Sequence, residues 1–478
     1  MKTKTQIEEE LDQKAEISAA INLEAEDRKN LLQKTDLLMQ GFLNRLATNK
    51  SFRQEAVSLE RFQLDDNSFP LKDVLNTINK ELLNNGIAAA SGGHLGYIPG
   101  GGLYASAIAD YIAAVSNAYS GIYYASPGAV EMENACLNWL KDKFRFPETA
   151  VGNLTSGGSI ANLIALTAAR DHHKIKNEKI QKAVIYMGNQ THHCVHKAIR
   201  IIGLEDIEIS YIPLDPRGKM NSVMLQKQIT SDKVEGKLPF LVIASAGTTD
   251  VGAVDPLAEI GTIAKKENLW FHVDAAYGGF FILSDKTKHL FQGIELADSL
   301  VIDPHKGLFL PYGIGAVLVK NKKAVLHAHH YTANYMQDAL DENSPINPAD
   351  VSPELTKHFR ALRMWFPLKL HGLAPFVACL EEKLLLTQYF REKLVELGFH
   401  VGPEPELSVS YFWYPAKNEN EFNKKLMQAI HKNGAVFLSS TNLNGKFVIR
   451  MAILSFRTNK ETIDKALDMI KKCLNELV

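Results

Sequence analysis

Two short apolar runs carry the strongest indication of the fold: Leu269-Trp-Phe-His-Val-Asp274 and Ser299-Leu-Val-Ile-Asp-Pro-His-Lys306. Each begins with a continuous apolar stretch that is typical of a strand buried on both faces. Because the carboxyl ends of neighbouring parallel strands meet at one edge of an open α/β sheet, ligands bind at that edge. The two runs therefore predict that Asp274 and Lys306 project from the same edge.

Similar runs lie on the N-terminal side of this pair. Between about residues 151 and 318, β-rich segments such as Ala183-Val-Ile-Tyr-Met187 and Phe240-Leu-Val-Ile-Ala-Ser245 alternate with helical patterns. This alternation predicts βαβ units and a mostly parallel sheet, which is an α/β fold.

The two ends of the chain have different sequence patterns from this central region. Up to about residue 85, leucines at helical spacing predict amphipathic helices, the last of which begins near Pro70. These helices pack on the main body, on a second subunit, or in a hairpin of their own. Beyond residue 366, helical patterns flank two strand patterns, 407–414 and 446–453. We therefore predict an N-terminal helical segment (1–104), a large α/β domain (105–365) and a small C-terminal α+β domain (366–478).

The composition favours a small-molecule enzyme. The 53 Lys and Arg residues nearly balance the 54 Asp and Glu residues, so a general attraction to nucleic acid or to an anionic membrane is not expected. The four cysteines are too far apart for a disulfide framework or a paired metal site, and no apolar run is long enough to span a membrane. We expect a cytoplasmic protein.

The pair of charged residues at the sheet edge suggests a chemistry. A lysine among apolar residues loses hydration and shifts towards its neutral form, which condenses with aldehydes. A nearby aspartate can keep a pyridine nitrogen protonated. These are the two contacts that pyridoxal 5′-phosphate needs. A plain buried ion pair between Asp274 and Lys306 is the alternative.

Two further segments have their own interpretations. Thr155-Ser-Gly-Gly-Ser159 lies between a strand pattern and a helix pattern, where backbone N–H groups can bind a phosphate, although such turns are common. In Thr191-His-His-Cys-Val-His196, His192 and His196 share a helix face with Cys194 nearby. There are two interpretations of this segment: either these side chains bind a metal ion, or a histidine ring stacks on a planar cofactor. Since no carboxylate or second cysteine is near, we predict no metal.

Four ordered segments resemble the group II pyridoxal-phosphate decarboxylases, and the aromatic-amino-acid branch most closely. The segments are Thr155–Ser159, His272-Val-Asp-Ala-Ala-Tyr-Gly-Gly279, Asp303-Pro-His-Lys306 and Phe359-Arg-Ala-Leu-Arg-Met-Trp365. The resemblance extends, with gaps, from about His94 to the end. It implies the aspartate aminotransferase-like fold type I with a seven-stranded sheet. It also implies a homodimer with shared active sites, whose N-terminal segments pack on the partner subunit.

The resemblance implies roles for individual residues. Lys306 forms an imine with the cofactor, Asp274 pairs with the pyridine nitrogen, His192 stacks on the ring, and His305 lies close to cofactor and substrate. Tyr335 falls where the family's proton donor to Cα stands, with Tyr331 as the alternative. The remaining implied contacts are Ala276 beneath the ring, Thr249 near the 3′-oxygen unless it merely caps a turn, Gly158, Ser159 and Ser299 at the phosphate, and Tyr97, Ile98 and Pro99 along the substrate pocket.

The implied activity is that of a carboxy-lyase that converts an L-amino acid, preferably aromatic, into its amine and carbon dioxide. Three alternatives stay open. They are a carbon–carbon lyase of the sphingosine-phosphate lyase type, a decarboxylase for glutamate or aspartate, and a non-catalytic metabolite-binding homologue. Arg450 and Arg457 are available to pair with the side chain of an acidic substrate. The alternative is that they only stabilise the fold. The sequence does not rank the amino acids.

Overall fold

The computed structural model describes residues 4–330 and 345–477 and divides the chain into two compact units, Met1–Ala88 and Ala89–Val478. The first unit contains the predicted N-terminal helices. Its elements are α1 (Lys4–Ser18), α2 (Ala25–Arg45), β1 (Phe52–Arg53), α3 (Leu71–Thr77), a π-helical continuation (Ile78–Leu83) and β2 (Gly86–Ile87). Strands β1 and β2 form an antiparallel pair.

A seven-stranded sheet lies at the centre of the second unit. Its strands are β3 (Val151–Thr155), β4 (Ala183–Gly188), β5 (Glu208–Ile212), β6 (Leu238–Ser245), β7 (Trp270–Asp274), β8 (Ser299–Ile302) and β9 (Gly315–Val319). The spatial order is β3-β9-β8-β7-β6-β4-β5. Strand β9 is antiparallel to both neighbours, whereas the ladders from β8 to β5 are parallel. The predicted mostly parallel sheet is confirmed.

Both faces of this sheet are buried. In β4, Val184 and Tyr186 pack into one hydrophobic core, and Ile185 and Met187 pack into the core on the other face. Because successive side chains of a strand point to opposite faces, a strand covered on both sides needs apolar residues at every position. This explains why the runs are continuously apolar.

Strand β7 departs from that rule on one face. Phe271 and Val273 belong to the first core, and Trp270 belongs to the second. The alternation therefore puts Trp270, His272 and Asp274 on the same face of the strand. Asp274 is the last residue of β7 and lies at the carboxyl edge of the sheet.

Helices cover both faces of the sheet and position the loops at its edge. They are α4 (Tyr104–Ser116), α5 (Pro127–Phe144), α6 (Gly158–His172), α7 (His193–Ile201), α8 (Ser222–Val234), α9 (Leu257–Glu267), α10 (Pro304–Gly307), α11 (Lys322–His329) and α12 (Arg360–His371). Helices α6 and α7 follow β3 and β4 after short turns. Their N-termini therefore lie at the carboxyl edge.

The C-terminal part of the second unit is the predicted small α+β region. It contains α13 (Ala374–Glu396), β10 (His400–Val401), β11 (Val409–Trp413), α14 (Glu419–Asn433), β12 (Ser439–Leu443), β13 (Lys446–Ala452) and α15 (Lys460–Asn475). The four strands form an antiparallel sheet in the order β10-β11-β13-β12. The predicted division into 1–104, 105–365 and 366–478 stays a prediction. Over residues 4–330 and 345–477, no helix has the length and apolar character needed to cross a bilayer.

Candidate active site

A cavity of about 380 Å³ lies at the carboxyl edge of the seven-stranded sheet. Loops that follow β3, β4, β6, β7 and β8 line it, because parallel strands bring their carboxyl ends together. Eight residues predicted from the sequence line this cavity: Gly158, Ser159, His192, Thr249, Asp274, Ala276, His305 and Lys306.

The turn between β3 and α6 is shaped by glycine. Gly157 has a φ of +155°, a conformation that other residues rarely adopt. A Cβ atom on Gly158 would lie 2.9 Å from Oδ2 of Asp303. Because α6 begins at Gly158, its first backbone N–H groups and the positive end of its dipole lie at the cavity. The turn therefore suits a phosphate group.

Lys306 lies on the single helical turn α10, and its Nζ is 2.9 Å from Oδ2 of Asp303. Burial alone lowers the pKa of Lys306, but Asp303 and Asp274 together outweigh burial and raise the pKa above its ordinary value. The expectation that this lysine shifts towards its neutral form is therefore wrong for the protein without cofactor. Its neighbours are carboxylates rather than only apolar groups.

Asp303 is a site residue that the sequence did not assign. Its Oδ1 has no hydrogen-bond partner among the described residues, although the side chain is buried. Its Oδ2 binds Lys306 and lies 3.8 Å from Nε2 of His305. The feature of the sequence that indicates this role is the position of Asp303 three residues before Lys306, which places both side chains on one helical turn.

Asp274 is held by two donors that do not include Lys306. Its Oδ1 accepts a hydrogen bond from the N–H of Ala276 at 3.0 Å, and its Oδ2 accepts one from Nδ2 of Asn162 at 3.3 Å. Since Lys306 pairs with Asp303, the alternative of a plain Asp274–Lys306 ion pair is wrong. Asn162 also lines the cavity and was missed in the sequence. The feature of the sequence that indicates a place at the cavity is its position on α6, one turn after Gly158.

His192 precedes α7 and is neutral. Its Nδ1 accepts a hydrogen bond from the N–H of Cys194 at 3.3 Å, which leaves the ring proton on Nε2. Burial lowers the pKa of His192 more than Asp274 raises it. Burial also raises the pKa of the Cys194 thiol to about 12. His196 is engaged elsewhere, with Nε2 2.8 Å from the hydroxyl of Tyr211.

The described residues do not bring a set of metal-binding side chains together around these histidines. Within the part of the chain that the structure describes, no group of three or more His, Cys, Asp or Glu side chains is arranged to hold a metal ion. The neutral ring of His192, at the wall of the cavity, is instead suited to contact a planar aromatic group.

His305 and Thr249 are fixed by contacts outside the cavity. Nδ1 of His305 donates to the carbonyl of Ile314 at 2.5 Å. Burial lowers the pKa of His305, despite the opposing effect of Asp303. The carbonyl of Thr249 accepts from Nε of Arg450 at 2.9 Å. Both residues therefore have defined positions at the cavity wall.

Ser299 is not brought to the cavity. It is the first residue of β8, at the end of the strand away from the carboxyl edge, and it is fully buried. Its Oγ accepts from Nε1 of Trp270 and lies 2.8 Å from Nδ1 of His272. The phosphate contact expected for Ser299 is therefore replaced by a role within the core.

The expected substrate wall stays a prediction. Tyr97, Ile98 and Pro99 are not among the described residues that line the cavity, and the side chain of Tyr97 is exposed. The same loop continues to Gly100, where a Cβ atom would lie 2.0 Å from the carbonyl oxygen of His305. The loop thus packs directly on the turn that carries Lys306.

Tyr335 and its alternative Tyr331 lie outside the described residues, and their role stays a prediction.

Together, the glycine turn, the lysine and the aspartate have the chemistry that pyridoxal phosphate requires: donors for its phosphate, an amine for its aldehyde and a carboxylate for its pyridine nitrogen. The fold and the site thus define a pyridoxal-phosphate enzyme of fold type I. Comparison with known proteins agrees, since the model of the pyridoxal-dependent decarboxylase conserved domain matches residues 59–415. The chain belongs to this family.

Three known proteins illustrate the similarity. An aromatic-L-amino-acid decarboxylase of Bacillus atrophaeus is 35% identical, over 87% of this chain and 88% of its own length. A phenylacetaldehyde synthase of Arabidopsis thaliana is 28% identical, over 85% of this chain and 86% of its own. The crystal structure of Oryza sativa TDC with PLP and tryptamine superposes with a TM-score of 0.89 at 23% identity, covering 95% of this chain and 99% of that one. The protein is therefore an enzyme, an amino-acid decarboxylase with pyridoxal phosphate as its cofactor.

Proposed function

We propose that this enzyme decarboxylates aromatic L-amino acids to the corresponding amines. The observation that carries this proposal is that one cavity contains Lys306, Asp274 and the glycine turn before α6. The name of the relative from Bacillus atrophaeus supports aromatic substrates.

Lys306 and Asp303 act as a pair in this proposal. When bound, pyridoxal phosphate withdraws electrons from the substrate's Cα, so that the bond to the carboxylate can break. Nζ of Lys306 would be the amine that holds the cofactor's aldehyde carbon, and it would be free when the substrate's amine takes that position. Asp303, 2.9 Å from Nζ, would form an ion pair with Lys306 whenever its amine is free and protonated.

The other residues at the cavity orient the cofactor. Asp274 keeps the proton on the pyridine nitrogen, because two donors hold its carboxylate in place. His192 contacts the ring face as a neutral imidazole. Gly158 and Ser159 bind the phosphate through the N-terminus of α6.

The arginines that were available for an acidic substrate are already bound. Arg450 donates to the carbonyl of Thr249 and, at 2.9 Å, to the hydroxyl of Ser439. Arg457 donates to the carbonyls of Ala90 and Gly101. A glutamate or aspartate side chain would compete with these carbonyl and hydroxyl acceptors for the two guanidinium groups. This supports aromatic over acidic substrates.

The charge along the cavity wall supports the same choice. Among the described residues that line the cavity, Lys306 is the one lysine or arginine. A carbon–carbon lyase acting on a phosphorylated lipid needs further cations for its second phosphate. We therefore favour decarboxylation over that reaction.

The experiment is a substrate panel. The purified enzyme with pyridoxal phosphate is given Tyr, Trp, Phe, His, Glu and Asp, and carbon dioxide, amine and aldehyde are measured by mass spectrometry. We expect amine from the aromatic substrates. Aldehyde is included because one relative is a phenylacetaldehyde synthase. Turnover of Glu or Asp alone would contradict the substrate proposal.

A lysine variant is the matched control for this panel. Lys306→Ala should lose turnover, and borohydride should no longer attach the cofactor to the peptide that contains residue 306. Lys323→Ala changes an exposed lysine of α11 and should behave like the wild type. Full activity of Lys306→Ala would overturn the assignment.

We further propose that the enzyme is a cytoplasmic homodimer with shared active sites. Helix α4 supports the dimer, because it turns its larger apolar side chains to solvent: Ile108, Tyr111, Ile112 and Val115 are 38–69% exposed and form one stripe. Its buried positions are small residues. Such a stripe is typical of a surface that another protein covers. The free cysteines Cys136, Cys194, Cys379 and Cys473 support a reducing compartment.

A further inference from the structure

A chain of buried side chains runs behind the cavity and ends on the carboxylate of Asp274. Trp270 and His272 precede Asp274 on the same face of β7, and Ser299 on β8 is directly opposite His272 in the register. Asn162 reaches the same face from α6. Trp270 is 2% exposed, and the side chains of His272, Ser299 and Asn162 are fully buried.

The orientation of the Asn162 amide is fixed by its surroundings. Its nitrogen Nδ2 lies 2.9 Å from the carbonyl oxygen of Gly158, and a carbonyl oxygen can only accept. Nδ2 is therefore the donor that also reaches Oδ2 of Asp274 at 3.3 Å. The remaining atom, Oδ1, is an acceptor and lies 2.8 Å from Nε2 of His272. His272 must therefore carry its proton on Nε2.

The other end of the chain requires the same arrangement. The indole Nε1 of Trp270 can only donate, and it lies 2.8 Å from Oγ of Ser299. The hydroxyl proton of Ser299 is thus free to bind Nδ1 of His272, 2.8 Å away, and Nδ1 accepts it in the Nε2–H tautomer. Burial lowers the pKa of His272 to about 4, so the ring is neutral at physiological pH.

Every hydrogen bond in the chain therefore points from the indole towards Asp274. A proton on Oδ2 of Asp274 would face the N–H of Asn162, and Oδ1 already accepts from the N–H of Ala276. Both oxygens of the carboxylate thus act as acceptors, and the two donors fix its orientation. Of the other titratable groups, His192, Cys194 and Lys306 interact with Asp274 from the cavity side.

Building on the proposed function, we propose that His272 and Asn162 are positioning residues that hold the carboxylate of Asp274 aimed at the pyridine nitrogen of the cofactor. Neither residue has to touch the substrate. Their effect is transmitted through the donor that Asn162 presents to the carboxylate. Ser299 and Trp270 set the tautomer of His272 from the far end.

The test compares two substitutions of one residue. Phenylalanine in His272→Phe keeps an aromatic ring but has no hydrogen-bonding atom. Glutamine in His272→Gln can donate to Asn162 and accept from Ser299. The readouts are the ¹⁵N chemical shift of the ring nitrogen of bound, ¹⁵N-labelled pyridoxal phosphate and the Kd of pyridoxal phosphate for the apoenzyme. We expect His272→Phe to shift the nitrogen towards its neutral form and to weaken binding about tenfold, since a hydrogen bond to a charged group weakens. His272→Gln should stay near the wild type.

A second pair of variants guards against effects of folding. Asn162→Leu replaces the amide by an apolar side chain of similar shape and should act like His272→Phe. Thr167→Val is the matched control, because Thr167 lies on α6, is 8% exposed and donates only within the helix, to Leu163. It should change neither readout. If His272→Phe does not fold, the nitrogen shift and the Kd of Asn162→Leu are sufficient to test the proposal.

An unchanged nitrogen shift and Kd in folded Asn162→Leu would overturn the inference, as would equal losses in His272→Phe and His272→Gln. The outcome is separable from that of the proposed function. A wild type that binds pyridoxal phosphate with a protonated ring nitrogen, but decarboxylates no aromatic amino acid, would end the substrate proposal and leave this comparison valid.

Discussion

The amine of Lys306 and the carboxylate of Asp303 lie 2.9 Å apart on one helical turn. This pair, rather than the pairing of Lys306 with Asp274, determines the charge of the lysine before the cofactor binds. Desolvation alone would lower the pKa of Lys306, and the carboxylates reverse the sign of the shift. The apoenzyme therefore holds an ammonium group that must lose a proton before it can react with an aldehyde.

Asp303→Asn should make the apoenzyme take up pyridoxal phosphate faster at neutral pH. The pKa of Lys306 is raised partly by the charge of Asp303, so removing that charge lowers the pKa and increases the neutral amine at a given pH. We therefore expect the pH midpoint of the uptake rate to fall. Stopped-flow absorbance measures the rate.

The control for Asp303→Asn is Asp285→Asn, which breaks an exposed pair with Lys288. Its uptake rate should follow the wild-type pH profile. A midpoint that does not move in Asp303→Asn would show that Asp303 leaves the pKa of Lys306 unaffected.

Gly158→Ala should weaken cofactor binding without unfolding the protein. The new Cβ would lie 2.9 Å from Oδ2 of Asp303, so the glycine turn or the Asp303–Lys306 pair must shift. We expect the Kd of pyridoxal phosphate to rise about tenfold or more, since a shift of about 1 Å is costly at an ordered site. Gly128→Ala is the control, because a Cβ atom on Gly128 would meet no described atom within 4 Å. Equal affinities in the two variants would refute the expectation.

The buried pair of Lys357 and Glu133 should be important for stability. Nζ of Lys357 lies 2.7 Å from Oε1 of Glu133 and 3.2 Å from Oδ1 of Asn153, and both charged side chains are essentially inaccessible. Lys357→Met leaves Glu133 buried without its partner and should lower the free energy of unfolding by about 3–5 kcal/mol. Urea denaturation measures the change.

The double variant Lys357→Met/Glu133→Leu is the comparison for that measurement. It removes both charges, although the N–H of Leu154 then loses its acceptor. We expect it to recover part of the lost stability, because no unpaired charge remains. A double variant less stable than the sum of both single changes would speak against a charge-driven loss.

Ile112→Lys should dissociate the proposed dimer. Ile112 is 42% exposed, in the middle of the apolar stripe on α4, and a charge there would be costly in a covered interface. Sedimentation velocity should show a dimer for the wild type and a monomer for the variant. Val234→Lys, at an 85% exposed position of α8, is the control and should stay dimeric. A wild type that sediments as a monomer would refute the proposed dimer.

The sequence alone located most of the cavity wall. Strands β4, β6, β7 and β8 appeared as continuous apolar runs because both faces of the sheet are covered. The ends of β7 and β8 then placed Asp274 and Lys306 at one edge, since parallel strands share their direction. Position along the chain was sufficient for this step.

The sequence was insufficient wherever side chains from different elements meet. The partner of Asp274 comes from α6, in Asn162. The position of Asn162 one turn after Gly158 places it near the cavity but does not indicate its contact with Asp274. Ser299 belongs to the same run as Lys306 but lies at the other end of β8, where it binds His272 instead of facing the cavity.

The buried strands, the residues at the sheet edge and the family thus followed from local patterns, because hydrophobic periodicity and turn residues act over a few positions. Three properties were decided only by the tertiary structure. They are the carboxylate that pairs with Lys306, the charge of that lysine, and the direction of the hydrogen bonds that run from Trp270 to Asp274. These properties depend on distances of about 3 Å between atoms that folding brings together, since hydrogen bonds and desolvation act at that range.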